Sequence, residues 1–468
     1  MDWEAIRISI EQFTNLGPLE QQWWIFTHGG WALILFIGVP LWLKERLRRK
    51  RIEHIEHTKY VLLALDVPKG TEQSPKAVES IFTALAGAHS HGNLIEHYWD
   101  GHVQEPFSFE IASLGGYIQF FVRTPEQFRD LVEAAIYAQY PDAEIIESED
   151  YVDRIPSFYD TEEFDLWGTE LTFTNKNYFP IRTYPEFEHT ASEDFKDPMA
   201  GILEILSRVH PDEDVWLQFL VTPIEDEWKE EGLAVVEKMA GVTHAAHKPG
   251  VAARMGSGLV ETLRVMGHSL IPYNKDEETH TTEKSTTNDK RVTPGQKVIM
   301  EAIEKKIAKI GFRVKPRMIY WGRRETFTKG RGVAAVMGAI QQFNTLNLNG
   351  FKPSKLVTTK ANYFLVKSRI TKRQRKVLIA YKRRDPFRGA GPGIILNTEE
   401  LATVFHFPVA TVKAPLVRKT ELKKSEPPFA LPVFRSQGRV QVDSQVNRGD
   451  EPSRKTGGGS PTNLPIIE

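Results

Sequence analysis

The chain has 468 residues and no cysteine, which excludes disulfides, thiolate zinc sites and cysteine nucleophiles. Its length predicts two or three folding units, and an apolar content of 41% is sufficient to bury their cores. The net charge of −1 averages two opposite parts, because residues 93–283 contain 38 acids and 13 bases whereas residues 290–424 contain 31 bases and are strongly basic. This asymmetry indicates that the two parts either neutralise each other or meet different partners.

The N-terminal part predicts a membrane anchor. Trp23 to Leu43 form a run of 21 uncharged residues, which as a helix reaches across a hydrocarbon core of roughly 30 Å. Residues 1–22 are expected to be an amphipathic extracytoplasmic segment, and residues 44–57 a basic juxtamembrane segment on the cytoplasmic side. A buried core helix is the alternative interpretation. The residues expected to hold the anchor are Trp23, Trp24, Trp42, Arg48, Arg49 and Arg51.

Residues 58–150 predict a first ferredoxin-like domain. A strand-length apolar run, Tyr60–Val67, is followed by a helix that begins at Pro75. Two further strand-like runs within Phe107–Thr124 are separated by Gly115-Gly116, which is a hairpin signal. A second helix and a short strand complete the unit. The order β-α-β-β-α-β is that of a ferredoxin-like sandwich.

Residues 165–390 predict a second ferredoxin-like domain, with strands that include 362–366 and 376–381. The stretch 273–292 within it has almost no apolar residues and is expected to be a disordered insertion. Residues 394–432 predict a short helix and a proline-rich docking segment, and residues 433–468 a disordered tail. The predicted fold class is therefore α+β, with one transmembrane helix, two ferredoxin-like (βαββαβ-type) sandwich domains and a disordered tail.

Motifs for catalysis are not recognisable in this sequence. It shows no phosphate-binding loop, no Ser-His-Asp arrangement and no spacing typical of a metal site, so we expect no catalytic residue, no metal, no cofactor and no enzyme activity. Lys329-Gly330-Arg331-Gly332 follows a predicted strand and opens a helix, where backbone amides favour anions. An ordinary loop is the alternative there.

Two basic clusters in the C-terminal half alternate with aromatic residues. Lys and Arg neutralise phosphates and aromatic rings stack on bases, so the clusters are candidates for nucleic-acid binding. Docking on an acidic partner, including the chain's own acidic part, and attraction to anionic lipid are the alternatives. The candidate residues are Lys372, Arg373, Arg375, Lys376, Lys382, Arg383 and Arg384.

The short helix near residue 400 is the candidate docking site for a protein partner. Asn397 and Glu400 predict a capping box at its start. Apolar residues beside extended chain suit a peptide-in-groove arrangement. The candidate docking residues are Glu399, Glu400, Leu401, Val404, Phe405, Pro427 and Pro428.

Several segments taken in order resemble a known family. They are the uncharged run with its basic flank, LLALDVPKG, the segment from PFSFEIASLGG to YPDAEI, GIILNTEELATVFHFP and KSEPPFALP. Over roughly residues 20–432 they resemble the membrane-anchored N-terminal region of conjugative, type IV secretion-like ATPases of the HerA/FtsK class in bacteria. In that family a motor domain follows, and this sequence ends where the motor is expected, so no catalytic residue is carried over.

The resemblance implies a single-pass scaffold in the bacterial inner membrane, with its N-terminus outside and its domains in the cytoplasm. Such a scaffold is expected to position a separately encoded HerA/FtsK-type ATPase in an assembly for type IV secretion, conjugation or DNA transfer. The expected partners are the lipid bilayer, that ATPase, further copies of the chain, and DNA. The alternative is a membrane-tethered nucleic-acid-binding protein that uses the basic half, residues 290–424.

Overall fold

The computed structural model describes residues 17–27, 31–68, 73–90, 93, 96, 101–156, 162–187, 197–241 and 292–408. All of these residues belong to one compact unit. Most of the predicted amphipathic segment, nearly all of the predicted insertion, the predicted tail, Pro427 and Pro428 lie outside the described residues.

The described part contains ten α-helices and nine strands. The helices are α1 (Pro18–Ile25), α2 (Trp31–His57), α3 (Pro75–Leu85), α4 (Arg129–Gln139), α5 (Pro198–Ser207), α6 (Trp228–Ala240), α7 (Pro294–Ile307), α8 (Ala335–Ile340), α9 (Val366–Lys382) and α10 (Thr398–Val404). The strands are β1 (Tyr60–Asp66), β2 (Phe107–Leu114), β3 (Tyr117–Pro125), β4 (Glu144–Glu147), β5 (Phe164–Phe173), β6 (Glu213–Pro223), β7 (Gly311–Arg323), β8 (Phe351–Pro353) and β9 (Ile394–Asn397).

All nine strands belong to one antiparallel sheet. Its order is β4-β1-β3-β2-β6-β7-β5-β8, and β9 pairs with β7 beside this path. Strand β2 pairs with β6 along its whole length, from Phe107 opposite Val221 to Leu114 opposite Asp214. The prediction of two ferredoxin-like domains is therefore wrong, because the strand that would form the free edge of the first domain is fully paired with the second half of the chain.

The first half nevertheless keeps the predicted order of elements, β1-α3-β2-β3-α4-β4. Its hairpin joins β2 to β3 through Gly115 and Gly116, whose φ angles are +60° and +89°. Glycine adopts such left-handed conformations without steric cost. A Cβ added to Gly115 would also lie 2.7 Å from the carbonyl oxygen of Pro211. The predicted hairpin is confirmed.

The sheet separates two hydrophobic cores, because successive residues of a strand face opposite sides. In β6, Val215 and Leu217 face the larger core, which contains residues of α3, α4, α5, α8 and α10. Trp216 faces the smaller core, which contains residues of α9 and of the turn 151–155. Helices α6 and α7 pack on each other around a separate small cluster.

No helix in the described part of the chain is both long enough and apolar enough to cross a membrane. Trp23 and Trp24 of the predicted anchor lie in α1, whereas Trp42 lies in α2. Helix α2 begins at Trp31 and reaches Lys44 after thirteen uncharged residues. Thirteen residues rise about 20 Å, short of the roughly 30 Å required. The predictions of a transmembrane helix, a single-pass membrane protein and an inner-membrane location are therefore wrong.

The basic end of α2 is joined to the rest of the fold. Arg48 and Arg49 pair with Glu45 at 2.8 and 3.1 Å within the helix, and Arg51 is half-buried. Further along the chain, the Thr58 hydroxyl donates to Glu105 Oε1 at 3.0 Å. The cations that were expected to fix a membrane anchor thus lie on α2. Thr58, which follows α2, contacts Glu105 just before β2.

Candidate functional site

The predicted nucleic-acid contacts lie on and just after one helix, α9, which covers the smaller core. The buried residues of α9 repeat every three or four positions, which is the period of a helix, and they include Gln374, Val377, Leu378 and Tyr381. The strand predicted at 376–381 is therefore wrong, and the one predicted at 362–366 is wrong because these residues form a turn that leads into α9. A short apolar run, such as the one after Lys376, is compatible with either a strand or a helix. Only a pattern that extends over more residues distinguishes the two.

Four polar residues form a row across the sheet beneath α9. Glu110 of β2 lies opposite Gln218 of β6. Gln218 lies opposite Arg317 of β7, which in turn lies opposite Glu170 of β5. All four side chains are buried, at 2% exposure or less. We call them the polar row. Because a buried polar group without a partner is costly, the row requires hydrogen bonds from neighbouring elements.

Arg384, just after α9, binds the Glu110 end of the polar row. Its guanidinium donates from Nε and Nη2 to the two carboxylate oxygens of Glu110, both at 2.9 Å, and from Nη2 to Asp150 at 2.9 Å. The Tyr151 hydroxyl also donates to Glu110, at 2.8 Å, and shares a hydrogen bond with Tyr381. Burial raises the pKa of Glu110, but the charge and hydrogen bonds of Arg384 outweigh it and hold that pKa below its ordinary value.

Arg317 binds the other end of the polar row to α9. Its Nη1 donates to the carbonyl of Ala380 at 2.9 Å, and its Nη2 donates to the carbonyls of Asp385 and Arg388 at 2.6 and 2.7 Å. Its Nε donates to Glu170 at 3.4 Å. The end of α9 and the loop after it are thus fixed on the sheet by two buried arginines.

Three of the seven predicted nucleic-acid contacts are used within the fold. Arg384 is 2% exposed and paired with Glu110, so its prediction as a nucleic-acid contact is wrong. Arg373 donates to the carbonyl of Thr358 at 3.1 Å, and Lys382 donates to the carbonyl of Ile155 at 3.0 Å. The other four are exposed: Lys372, Arg375, Lys376 and Arg383.

Four exposed cations lie on α9 and at the residue that follows it. We call them the basic stripe: Arg369, Lys372, Lys376 and Arg383. Their spacing of three, four and seven residues places them on one side of a helix, over about 21 Å. Residues 351–393 contain thirteen Lys and Arg but a single acid, Asp385. The stripe is therefore a strongly basic surface.

Three apolar side chains project beside the first turn of α9. Tyr363, Phe364 and Leu365, here called the aromatic tip, are 88%, 86% and 79% exposed. Tyr363 and Leu365 have φ angles of +72° and +49°, a region uncommon for residues other than glycine. Arg369 of the basic stripe donates from Nη1 to the carbonyl of Asn362 at 3.1 Å. The Arg369 amide also donates to the carbonyl of Leu365 at 3.0 Å, so the tip is joined to the stripe.

The residues of the predicted anion loop are used within the fold. Arg331, in the predicted anion loop, pairs with Glu213 at 2.8 Å and donates to the Thr326 carbonyl at 2.9 Å. Gly332 lies against the Tyr320 ring, so its small size serves packing. Within the described residues, no group of three or more His, Asp or Glu side chains is placed to hold a metal ion.

The predicted docking helix, α10, is inside the fold. Its capping box is confirmed, since Asn397 accepts from the Glu400 amide at 2.8 Å and Glu400 accepts from the Asn397 amide at 2.9 Å. Glu400 also pairs with Lys306 at 3.0 Å, and neither side chain is exposed. The expectation of an exposed docking surface here is wrong, because each of these predicted docking residues is buried: Glu399, Glu400, Leu401, Val404 and Phe405.

The polar row has no counterpart in the sequence-based predictions. Its signal was a carboxylate inside an apolar strand, Glu110 in SFEIASL and Glu170 in LWGTELTF, since such residues are rarely buried without a partner. The partner of Glu110 is 274 residues away along the chain. Sequence reasoning could therefore identify the need for a cation but not the cation itself.

Comparison with known proteins assigns a family. The chain matches the family described as "Domain of unknown function (DUF8128)" over residues 46–420, about four fifths of its length. No curated protein matches it. Neither finding supports the expected role in type IV secretion, conjugation or DNA transfer, and the resemblance to HerA/FtsK-class proteins stays a prediction. Because the match covers most of the sequence, the chain belongs to the family described as a domain of unknown function, DUF8128.

Proposed function

We propose that this protein binds single-stranded nucleic acid through the basic stripe and the aromatic tip of α9. The observation that carries the proposal is the combination of the two: four exposed cations on one side of a helix without acids, next to three exposed apolar residues of which two are aromatic. Cations that track a phosphate backbone and rings that stack on bases are the two elements of single-strand binding.

Internal pairing uses many of the cations in the basic half but leaves Lys372 and Lys376 of the stripe exposed. Ion pairs between the basic and acidic parts of the chain account for some of the charge asymmetry, and they include Arg384–Glu110, Arg317–Glu170 and Arg331–Glu213. Lys372 and Lys376, in contrast, have no acidic partner among the residues that the structure describes. An exposed excess of positive charge attracts a polyanion and releases its counterions on binding.

The aromatic tip favours a single strand over a duplex. Bases of a single strand are accessible for stacking on Tyr363 and Phe364, and each such contact contributes about 1–3 kcal/mol. Tyr363 and Leu365 have left-handed backbone conformations, and their side chains are exposed to solvent. Backbone strain of this kind costs about 1–3 kcal/mol per residue and is concentrated at functional positions.

A role as a docking scaffold stays a prediction with less support. The side chains of α10 that were expected to dock a partner are buried, and Leu401 is 0% exposed. The basic stripe and the aromatic tip offer the exposed chemistry that α10 lacks.

Fluorescence anisotropy with a labelled oligo-dT strand and the full chain tests the proposal. The logarithm of the binding constant should fall linearly with the logarithm of salt concentration, and Lys372→Ala with Lys376→Ala should reduce the slope by about 1.4. Phe364→Ala should weaken binding about tenfold and leave the slope unchanged, because stacking releases no counterions. Lys297→Ala, which removes an exposed cation of α7, is the matched control and should have no effect.

Absence of salt-dependent binding would overturn the proposal, as would equal losses in the stripe and control variants. Vesicles that contain phosphatidylserine form a second arm. Binding to these vesicles without binding to the oligonucleotide would assign the stripe to anionic lipid and also overturn the proposal.

A further inference from the structure

A cavity of about 380 Å³ lies between α9 and the sheet, beside the basic stripe. Glu170 of the polar row forms part of its wall, together with apolar atoms of Leu356, Val357 and Val377. Five cationic side chains also line it: Arg48, Arg317, Arg373, Lys376 and Arg388. We call it the α9 cavity.

Three of these five cations are already matched by a carboxylate. The pairs and their distances are Arg317–Glu170 at 3.4 Å, Arg388–Asp385 at 2.9 Å and Arg48–Glu45 at 2.8 Å. Arg373 donates to the backbone carbonyls of Thr358 and Lys360. Within the described part of the chain, neither Arg373 nor Lys376 has a carboxylate partner. The cavity therefore holds an excess of two positive charges.

The size of the cavity and its excess charge define a class of ligand. A phosphomonoester carries a charge of about −1.5 to −2 at neutral pH, which matches the excess. The volume equals that of about a dozen water molecules at roughly 30 Å³ each, so inorganic phosphate alone would leave most of it empty. Pockets of about 300–1,000 Å³ with apolar walls and a few polar groups are typical of small organic ligands.

We infer that the α9 cavity binds a phosphomonoester attached to an organic group of nucleoside size. Lys376 belongs to both the cavity and the basic stripe, so a strand that lies along the stripe can place a phosphorylated end in the cavity. In this form the inference rests on the proposed function. A free mononucleotide is the second source of the same chemistry.

The test compares three probes on the full chain: oligo-dT phosphorylated at the 5′ or 3′ end, the same strand with hydroxyl ends, and AMP. We expect one of the phosphorylated strands to bind at least about tenfold more tightly than the hydroxyl strand, and AMP to abolish that difference. Lys376→Gln, which removes one of the two unmatched charges of the cavity, should reduce the ratio of the two affinities to near one. Arg383→Gln, on the stripe and not in the cavity wall, should weaken both strands and preserve the ratio.

Equal affinities of all strands together with no AMP binding at millimolar concentration would overturn the inference, whether or not the strands bind. Salt-dependent binding of the hydroxyl strand would show in that case that the proposed function survives. AMP binding that is lost in Lys376→Gln, without binding of any strand, would support the cavity and refute nucleic-acid binding. An affinity ratio that Lys376→Gln leaves unchanged would place phosphate recognition elsewhere and also overturn the inference.

Discussion

Replacement of Arg384 by methionine should leave the buried carboxylate of Glu110 without its cationic partner. Arg384→Met removes the two 2.9 Å hydrogen bonds to Glu110 and the contact with Asp150. Loss of one partner from a buried ion pair costs about 3–5 kcal/mol. Tyr151, Ser108 and Gln218 still donate to Glu110, so we expect a loss of roughly 3 kcal/mol in the free energy of unfolding at neutral pH.

The pH dependence of stability should also reverse in this variant. In the native protein the pKa of Glu110 is held below its ordinary value, so its contribution is present above the unfolded pKa and is lost as the pH falls through the folded pKa. Without Arg384, burial is the main influence and raises the pKa of Glu110. The variant should therefore be least impaired below the ordinary carboxyl pKa of about 4.3, and should lose stability as the pH rises.

Urea unfolding followed by tryptophan fluorescence measures both effects, since the Trp216 ring lies 5.0 Å from the Tyr151 ring in the same cluster. The double variant Glu110→Gln with Arg384→Met is the matched control, because it also removes the unpaired negative charge of Glu110. It should recover part of the lost stability and show no such pH dependence. A single variant that loses less than about 1 kcal/mol, or whose loss is equal on both sides of the carboxyl pKa, would contradict the reasoning.

Two further predictions concern packing and are measured by thermal unfolding. Leu401→Ala should cost about 2–5 kcal/mol because Leu401 is fully buried, whereas Leu346→Ala should be neutral because Leu346 is fully exposed; equal effects would refute the packing of α10. Gly332→Ala should cost about 1–3 kcal/mol because its Cβ would clash with the Tyr320 ring. Gly330→Ala, with open space around its Cβ, is the control, and an equal loss there would exclude the ring contact as the cause.

The elements of the first half were predictable because their signals are local. Pro75 begins α3, Gly115 and Gly116 make the hairpin, and apolar runs of strand length become β1, β2 and β3. The fusion of the two halves into one sheet was not predictable. It depends on pairing between β2 and β6, which are about a hundred residues apart, and no local pattern specifies which distant strand covers an edge.

The candidate site shows the same division between local and distant information. The basic clusters and their aromatic neighbours were recognisable in the sequence. The helix that carries the clusters was not, because the apolar run 376–381 is too short to show the period of a helix. Asn397 and Glu400 correctly predicted the capping box of α10. The burial of α10 depends on contacts with α3 and α5, which lie some 200 to 320 residues earlier in the chain.

The position of Phe405 has a consequence for how the chain is made. Its ring lies 5.1 Å from that of Phe109 and 5.9 Å from that of Phe120, so the core over the first strands is completed by a residue about 285 positions later. At about 5–20 residues per second, a ribosome delivers that residue some 15 to 60 seconds after the strands themselves. During that interval the apolar face of the emerging sheet lacks its last cover, so the duration of its exposure is set by the speed of translation.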